Sequence, residues 1–369
     1  MNATATILKT ATATAPQTPT VSDAVTARQP ATPTGPQALP APSALHAEYP
    51  LSRALGDGIA SQRSTVKRIL SGEDSRLLLV VGPCSAHDPR AVREYAERLA
   101  RLADDVAEQI LPVMRVYVEK PRTTVGWKGL AYDPDLDGRG DIARGLALSR
   151  ELMRDVAECG LPVATELLQP MLAPYLEDLL SWVAIGARTT ESQLHRELAS
   201  GLDAAVGFKN ATHGGVQVAV DAMGAAAHPH QRFAMDAAGR PAVAQTPGNP
   251  HTHLVLRGGS GEPNYRADHV RAAAAALESA GQNPRLMVDC SHANARKDHR
   301  RQSEVMLDVL AQREAGNLNL AALMLESFLH EGKQPLTPGA LRHGVSITDA
   351  CIGWETTERL VKTAAERLA

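Results

Sequence analysis

The sequence predicts an α/β fold, a (β/α)8 TIM barrel, and three observations carry the prediction. Eight short apolar runs recur along the 369 residues. Helical patterns with short connections separate them, which implies parallel strands. Nearly every run ends in a residue able to bind a metal or a phosphate. Strands that deliver polar groups from their C-terminal ends are how such a barrel builds a catalytic mouth. The same pattern therefore predicts an enzyme.

The elements follow in order. Residues 1–38 are dominated by Ala, Thr and Pro, a composition that buries too little apolar surface to offset its ordering entropy, and they are expected to be a disordered tail. They lack an apolar stretch and are poor in arginine, so a dispensable tail is expected rather than a targeting peptide. Residues 39–369 are expected to form one catalytic barrel domain with an N-terminal extension. A helix over 61–70 stops at Gly72. The run 77–81 leads into Gly82-Pro83-Cys84-Ser85. Asp88-Pro89 then caps a helix over 90–105, in which Val92, Tyr95, Leu99 and Leu102 repeat at helical spacing. The run 113–118 leads into Glu119-Lys120-Pro121-Arg122-Thr123, and a helix over 141–159 closes at Gly160. The next runs are 162–165, stopping at Glu166, 183–186, just before Arg188, and 206–208, stopping at Lys209. Helices over 170–180, 191–200 and 215–227 alternate with them. The last three runs are 253–256, stopping at Arg257, 286–288, running into Asp289-Cys290-Ser291-His292, and 320–325, stopping at Glu326.

Two features depart from a minimal barrel. About two dozen extra residues, at roughly 230–252, separate the fifth helix from the sixth strand. There 232–235 and 241–245 flank Ala237-Ala238-Gly239-Arg240, the pattern of a β-hairpin. This insertion reads either as a regulatory or oligomer-contact element or as a neutral loop expansion. After the eighth strand, the Pro- and Gly-rich stretch 332–344 forms a long loop on the catalytic side. It leads to residues 346–354 and a terminal helix.

Bulk properties narrow the function. A hydrophobic content of 44%, a charged content of 21% and a net charge of −3 are ordinary for a globular enzyme and give no reason to expect nucleic-acid or membrane partners. The four cysteines are too scattered for a disulfide framework and read as thiols of a cytoplasmic protein. No apolar run approaches the length of a bilayer span.

Cys84, His292, Glu326 and Asp349 are the candidate metal ligands. Closing a barrel sets the first and eighth strands side by side, so these residues can converge despite their distance in sequence. Mixed S, N and O donors suit a divalent ion such as Mn, Fe, Co or Zn rather than Mg or Ca. Taken singly, Cys84 reads rather as a small buried hydrophobe and His292 as a hydrogen-bonded cap; it is the four together at adjoining strand ends that favour a metal site. Arg115, Lys120, Arg122, Arg188, Lys209 and Arg257 form a cationic set suited to phosphate or carboxylate. Arg115, inside its strand, could instead pair with an internal carboxylate. Arg257-Gly258-Gly259 is expected to offer free backbone N–H groups as a phosphate nest. The cationic set implies two phosphorylated substrates or one phosphorylated dicarboxylate.

Several motifs carry a family resemblance. Gly82-Pro83-Cys84-Ser85, Lys120-Pro121-Arg122-Thr123-Thr124, Gly186-Ala187-Arg188-Thr189-Thr190-Glu191-Ser192, Gly207-Phe208-Lys209-Asn210, Leu256-Arg257-Gly258-Gly259, Ser291-His292-Ala293-Asn294 and residues 346–354 resemble the type I 3-deoxy-D-arabino-heptulosonate 7-phosphate (DAHP) synthases of the bacterial and fungal kind. The resemblance runs from about Leu39 to the C-terminus. It implies condensation of phosphoenolpyruvate with erythrose 4-phosphate, the first step of the shikimate pathway and so of aromatic amino acid biosynthesis. It also implies one divalent metal ion on Cys84, His292, Glu326 and Asp349. Phosphoenolpyruvate would lie against Arg115, Lys120, Arg188, Lys209 and Arg257, and erythrose 4-phosphate against Arg122 and Thr123. The catalytic candidates are Lys120, Glu166 and His292. Lys120 or a bound water would protonate the developing alkoxide. Glu166 would orient or deprotonate the water that adds to the enol carbon, or else pair with Arg188 or Lys209.

In many relatives an N-terminal arm and the inserted hairpin bind phenylalanine, tyrosine or tryptophan as a feedback inhibitor. No arm pattern precedes Leu39 here, while Gln245-Thr246-Pro247-Gly248-Asn249-Pro250 is similar to tryptophan-sensitive members; an unregulated enzyme is the alternative. A homo-oligomer, dimer or tetramer, is expected. Two other readings compete: a Schiff-base aldolase using Lys209, and a catalytically silent paralogue that binds an effector.

Overall fold

The computed structural model describes residues 35–369, and Leu39–Ala369 forms a compact unit. The disorder expected of residues 1–38 concerns a segment of which 1–34 lie outside the described residues. Along the chain come α1 (Pro42–Glu48), α2 (Arg53–Ser71), β1 (Leu77–Gly82), α3 (Pro89–Asp105), β2 (Ile110–Arg115), α4 (Ile142–Glu158), β3 (Val163–Glu166), α5 (Ala173–Leu176), β4 (Leu180–Ile185), α6 (Gln193–Ala199), β5 (Ala205–Lys209) and α7 (Gln217–Ala226). There follow β6 (His230–Met235), β7 (Pro241–Thr246), β8 (Thr252–Leu256), α8 (Ala267–Ser279), β9 (Leu286–Asp289), α9 (Gln302–Glu314), β10 (Leu320–Glu326) and α10 (Trp354–Leu368). Eight strands close a parallel barrel in the order β1-β10-β9-β8-β5-β4-β3-β2, and β6 and β7 form a separate two-stranded sheet. The expected architecture is the observed one.

Local chemistry explains the element ends. Asp88 accepts hydrogen bonds from the N–H groups of Arg90 and Ala91 and places Pro89 in the first turn of α3, where its missing N–H costs nothing. The buried face of α3 is then Val92, Tyr95, Ala96, Leu99 and Leu102. Asp141 caps α4 through the N–H of Arg144. Gly72, at φ +90°, ends α2 in the left-handed conformation that glycine adopts without strain.

Alternation along the strands divides the core in two. Leu78, Val80, Val113, Ala164, Trp182, Ala184, Ala205, Val255, Met287, Ala322 and Met324 fill the barrel interior. Their neighbours Leu77, Leu79 and Val81 join the larger layer between sheet and helices. Val66, Ile69 and Leu70 of α2 belong to the interior cluster. The N-terminal extension is therefore part of the core, a role that its helical periodicity does not reveal.

Three expectations are corrected locally. The second run was expected to be a strand over 113–118, but β2 ends at Arg115. Residues 116–118 continue as extended chain tied to its neighbours on both sides: Val116 N–H donates to Ala164 C=O of β3 at 2.8 Å, and Ala86 N–H, after β1, to Tyr117 C=O at 3.0 Å. The helix expected over 170–180 is instead the four-residue α5 between two 3₁₀ turns, because Pro170 and Pro174 restrict how the chain can wind. The helix expected over 191–200 begins at Gln193.

The inserted hairpin is present, with Phe233 opposite Val243 in its register. Asp236 accepts hydrogen bonds from the N–H groups of Ala238 and Arg240 in the turn, and Ser43 N–H donates to Ala237 C=O. Helix α1 thus holds the hairpin tip, while Phe233 is 92% exposed.

Gly207 shows how tightly the interior is filled. A Cβ there would stand 2.4 Å from Cζ2 of Trp182 and 2.7 Å from Cγ2 of Val255. Gly207→Ala should therefore destabilise the protein by about 1–3 kcal/mol through overpacking, seen as a lower urea midpoint at unchanged m-value. An unchanged midpoint would contradict this packing.

Candidate active site

The C-terminal strand ends surround a cavity of about 320 Å³. Arg115, Lys120, Arg122, Thr123, Glu166, Arg188, Lys209, Arg257, His292, Glu326 and Asp349 all line it. Residues singled out from distant parts of the sequence thus share one wall. Cys84 lies behind Lys120, whose Nζ is 3.2 Å from the Cys84 thiol and 2.8 Å from its carbonyl oxygen.

Donor atoms of Cys84, Glu326 and Asp349 lie within 4.8 Å of one another. The Cys84 thiol is 3.7 Å from Oδ2 of Asp349 and accepts from the Asp349 N–H at 3.4 Å. Burial, and then the carboxylate of Glu326, push the thiol up to about 11. Holding it as a thiolate therefore asks for more positive charge than Lys120 supplies. One sulfur and two carboxylates fit a divalent ion of the Mn, Fe, Co or Zn class. His292, expected as the fourth donor, stands outside this close group. Its Nδ1 is drawn to Oδ2 of Asp289 at 2.9 Å and Oγ of Ser291 at 2.7 Å. Its backbone is left-handed, at φ +54°. A ring held through Nδ1 by a carboxylate presents Nε2 as its free ligand atom.

Asp289 escaped sequence reasoning although it stands at a strand end. Besides His292, it accepts from Lys209 Nζ at 3.0 Å and from Ser291 Oγ at 2.7 Å. Burial works against its charge, but His292 and Lys209 hold its carboxyl well below the usual range. The signal was available: Asp289 directly precedes Cys290-Ser291-His292, three residues from a candidate ligand. Arg115 takes the internal alternative while still reaching the cavity. It lines the cavity and also pairs internally, with Nη2 at 3.0 Å from Oε1 of Glu326.

Arg188 and Arg257 form no such ion pair among the described residues. Arg188 Nη2 reaches Oγ1 of Thr123 at 3.4 Å, and Arg257 Nη1 reaches its neighbour's carbonyl at 3.4 Å. Burial lowers the pKa of Arg257, and the nearby charge of Arg188 lowers it further against the pull of Asp289. Two guanidinium groups that line one cavity and raise each other's electrostatic cost are suited to an anionic partner. Glu166 packs against Gly186, where a Cβ would stand 2.1 Å from its Oε1. No ion pair joins Glu166 to Arg188 or Lys209 among the described residues.

The expected backbone nest at Arg257-Gly258-Gly259 is absent. These three N–H groups donate to Oδ1 of Asn210, Oδ1 of Asn264 and the carbonyl of Glu262. Buried N–H groups need acceptors, and asparagine side chains supply them here. Asn264 also donates its N–H to Asn294 and its amide to Asn210, which locks the loops after β5, β8 and β9 together. The glycines serve close approach: a Cβ on Gly259 would meet the backbone nitrogen of Gly214 at 2.0 Å. The main chain here is already paired and offers no free N–H group to an anion.

A (β/α)8 barrel whose mouth combines a thiol–carboxylate donor group with facing arginines defines an enzyme acting on phosphorylated, acidic small molecules. The chain belongs to the DAHP synthetase I family, which it matches over residues 56–362. It is 51% identical over 328 residues to the Tyr-sensitive phospho-2-dehydro-3-deoxyheptonate aldolase of Salmonella typhimurium, covering 88% of this chain and 92% of that protein. It is 49% identical over 333 residues to the Trp-sensitive enzyme of Enterobacter agglomerans, covering 90% and 95% respectively. The solved structure of phospho-2-dehydro-3-deoxyheptonate aldolase from Francisella tularensis superposes with a TM-score of 0.89 at 42% identity, covering 91% of this chain and 98% of that one.

Glu119, adjacent to Lys120, was also passed over. Its Oε2 accepts from the N–H groups of Leu168 and Gln169 at 3.0 and 3.3 Å, and its Oε1 from the Tyr132 hydroxyl at 3.3 Å. It thus ties the Lys120 loop to the loop after Glu166. Burial outweighs these bonds and pushes its carboxyl up to about 7 from the ordinary 4.5. The native state keeps this proton longer than the unfolded chain. The stability it contributes is therefore complete below 4.5 and is lost as pH rises through about 7, on the order of 3 kcal/mol in total. Glu119→Gln should flatten the dependence of the urea midpoint on pH across that window. An unchanged slope would show that Glu119 does not titrate there.

Proposed function

We infer that this chain condenses phosphoenolpyruvate with D-erythrose 4-phosphate and water, giving 3-deoxy-D-arabino-heptulosonate 7-phosphate and phosphate. The observation that carries this reading is the pair Arg188 and Arg257, which line one cavity with Glu326 and Asp349 and form no ion pair with a carboxylate among the described residues. Family membership supports it.

Lys120, Arg115, Arg188, Lys209 and Arg257 hold phosphoenolpyruvate, and Arg122 and Thr123 hold the tetrose phosphate. Gathering two anions at one mouth is the orientation part of catalysis. As the enol carbon bonds to the aldehyde, Lys120 donates a proton to the oxygen that gains charge. Glu166 positions and deprotonates the water that adds to the enol carbon, and phosphate then leaves with cleavage of its carbon–oxygen bond. Cys84, Glu326 and Asp349, with Nε2 of His292, would hold the divalent metal. When bound, such an ion polarises a reactant oxygen as a Lewis acid. Asp289 holds the His292 ring and the Lys209 ammonium in place.

This arrangement weighs against a Schiff-base aldolase, because such a lysine must react as a free amine whereas Lys209 is paired with Asp289. The ligand and cation sets weigh against a silent paralogue. An aromatic amino acid is the proposed class of feedback inhibitor, supported by relatives named Tyr-sensitive and Trp-sensitive. A cytoplasmic homo-oligomer, dimer or tetramer, completes the reading; no helix among the described residues is long and apolar enough to cross a membrane.

Purified protein should release phosphate only when both substrates are present. A strong chelator should abolish the rate and added Mn or Co restore it. Full activity in metal-free protein would overturn the ligand assignment, and borohydride trapping of substrate on Lys209 would favour the aldolase. Repeating the assay with each aromatic amino acid identifies the effector.

A further inference from the structure

Tyr117 lies just past the end of β2, with its ring in the barrel interior and one edge on the cavity. It is 1% exposed, and its hydroxyl has no hydrogen-bond partner among the described residues. The guanidinium carbon of Arg115 sits 4.0 Å above the ring centroid, and Lys120 Nζ lies 5.7 Å from it. Arg115 is itself partly unused. Its Nη2 is taken by Glu326 and its Nε by the Pro83 carbonyl, while the buried Nη1 has no partner. Two stacked side chains that line one cavity thus each carry a buried donor with no partner among the described residues. An unpaired buried polar group is costly, and where one persists a functional partner is the leading explanation.

The geometry points to Tyr117 as a substrate-binding residue, whose hydroxyl joins Nη1 of Arg115 in holding the carboxylate of the enol phosphate. The chemistry around these donors selects this group. A carboxylate is planar and offers two oxygens to two donors. Glu166, Glu326 and Asp289 surround this region, so a single negative charge is admitted more readily than a dianionic phosphate. The phosphate belongs at Arg188 and Arg257, which form no ion pair with a carboxylate among the described residues. Burial pushes the Tyr117 phenol far above its usual range, so it remains a neutral donor at any working pH. The hydroxyl would discriminate an enol phosphate bearing a carboxylate from phosphates that lack one.

This inference rests on the proposed function, and the test separates the two. Tyr117→Phe removes one oxygen without changing the ring. With Mn-loaded full-length enzyme, phosphoenolpyruvate should bind roughly 10- to 100-fold more weakly to the variant, the value of a hydrogen bond to a charged acceptor. Inorganic phosphate, which has no carboxylate, should bind within about twofold of wild type, on the scale of a contact not made. The urea midpoint should stay level or rise, because the lost hydroxyl is unpaired in the free protein; a purely structural residue would lower it. Equal loss for both ligands, or unchanged affinity for phosphoenolpyruvate, would overturn the inference and leave the hydroxyl to an ordered water. Wild-type enzyme that fails to bind phosphoenolpyruvate would instead sink the proposed function. Should the variant not fold, the ¹⁹F resonance of a fluorotyrosine introduced at position 117 of the otherwise native chain decides the matter. It should shift with phosphoenolpyruvate and stay put with phosphate, and no shift with either would refute the role.

Discussion

Barrel closure between β1 and β10 is the constraint on which the site depends. Their parallel register sets Gly82 opposite Glu326, and the Ser327 N–H donates to Gly82 C=O at 2.9 Å. That pairing brings Cys84 and Glu326 to one point of the rim. Asp349 reaches the same point because the loop after β10 folds back over it: Phe328 N–H donates to Ile352 C=O and Ile352 N–H to Glu326 C=O. A slip of one residue between β1 and β10 would turn Glu326 away from the mouth, since successive strand residues face opposite sides.

Around that seam the mouth is organised by charge compensation. Buried Arg115 and Lys209 are paired with buried acids, Glu326 and Asp289. Such pairs are poor evidence for stability, because removing charges from water costs about as much as their attraction returns. Their value here is positional. Each acid shares its cation with a second duty, Glu326 with the donor group around Cys84 and Asp289 with the His292 ring. Arg122, Arg188 and Arg257, like Lys120, form no ion pair with an acid among the described residues, and their charge is therefore available to an anion. Neutral groups complete the scheme: Asn210, Asn264 and the Glu262 carbonyl take up the backbone donors of Arg257-Gly258-Gly259, which leaves the arginine side chain rather than the main chain on the cavity.

Much of this was legible in the linear pattern, because a parallel barrel writes its site at strand ends. Arg188, Lys209, Arg257 and Glu326 each stand at or just past an apolar run, and each lines the cavity. What escaped notice is instructive. Asp289 and Glu119 sit at equally suggestive positions, but a buried acid beside a better-known motif reads as spacing until its partners are seen. Asn264 stands in a polar loop with no periodicity to single it out. Tyr117 looks like one more apolar residue of a strand, and only its orphaned hydroxyl distinguishes it.

The amino-acid sequence by itself determined the alternation of strands and helices, the inserted hairpin and the set of side chains delivered to the mouth. Those properties are local, set by hydrophobic period, capping residues and turn chemistry. Tertiary structure alone decided which of those side chains meet. It placed three donors together and turned His292 toward Asp289, occupied the backbone of Arg257-Gly258-Gly259 with two asparagines and a carbonyl, and made α2 part of the barrel core. The physical reason is that pairing, burial and hydrogen-bond satisfaction depend on distances between residues far apart in the chain, and closure of the sheet creates those distances.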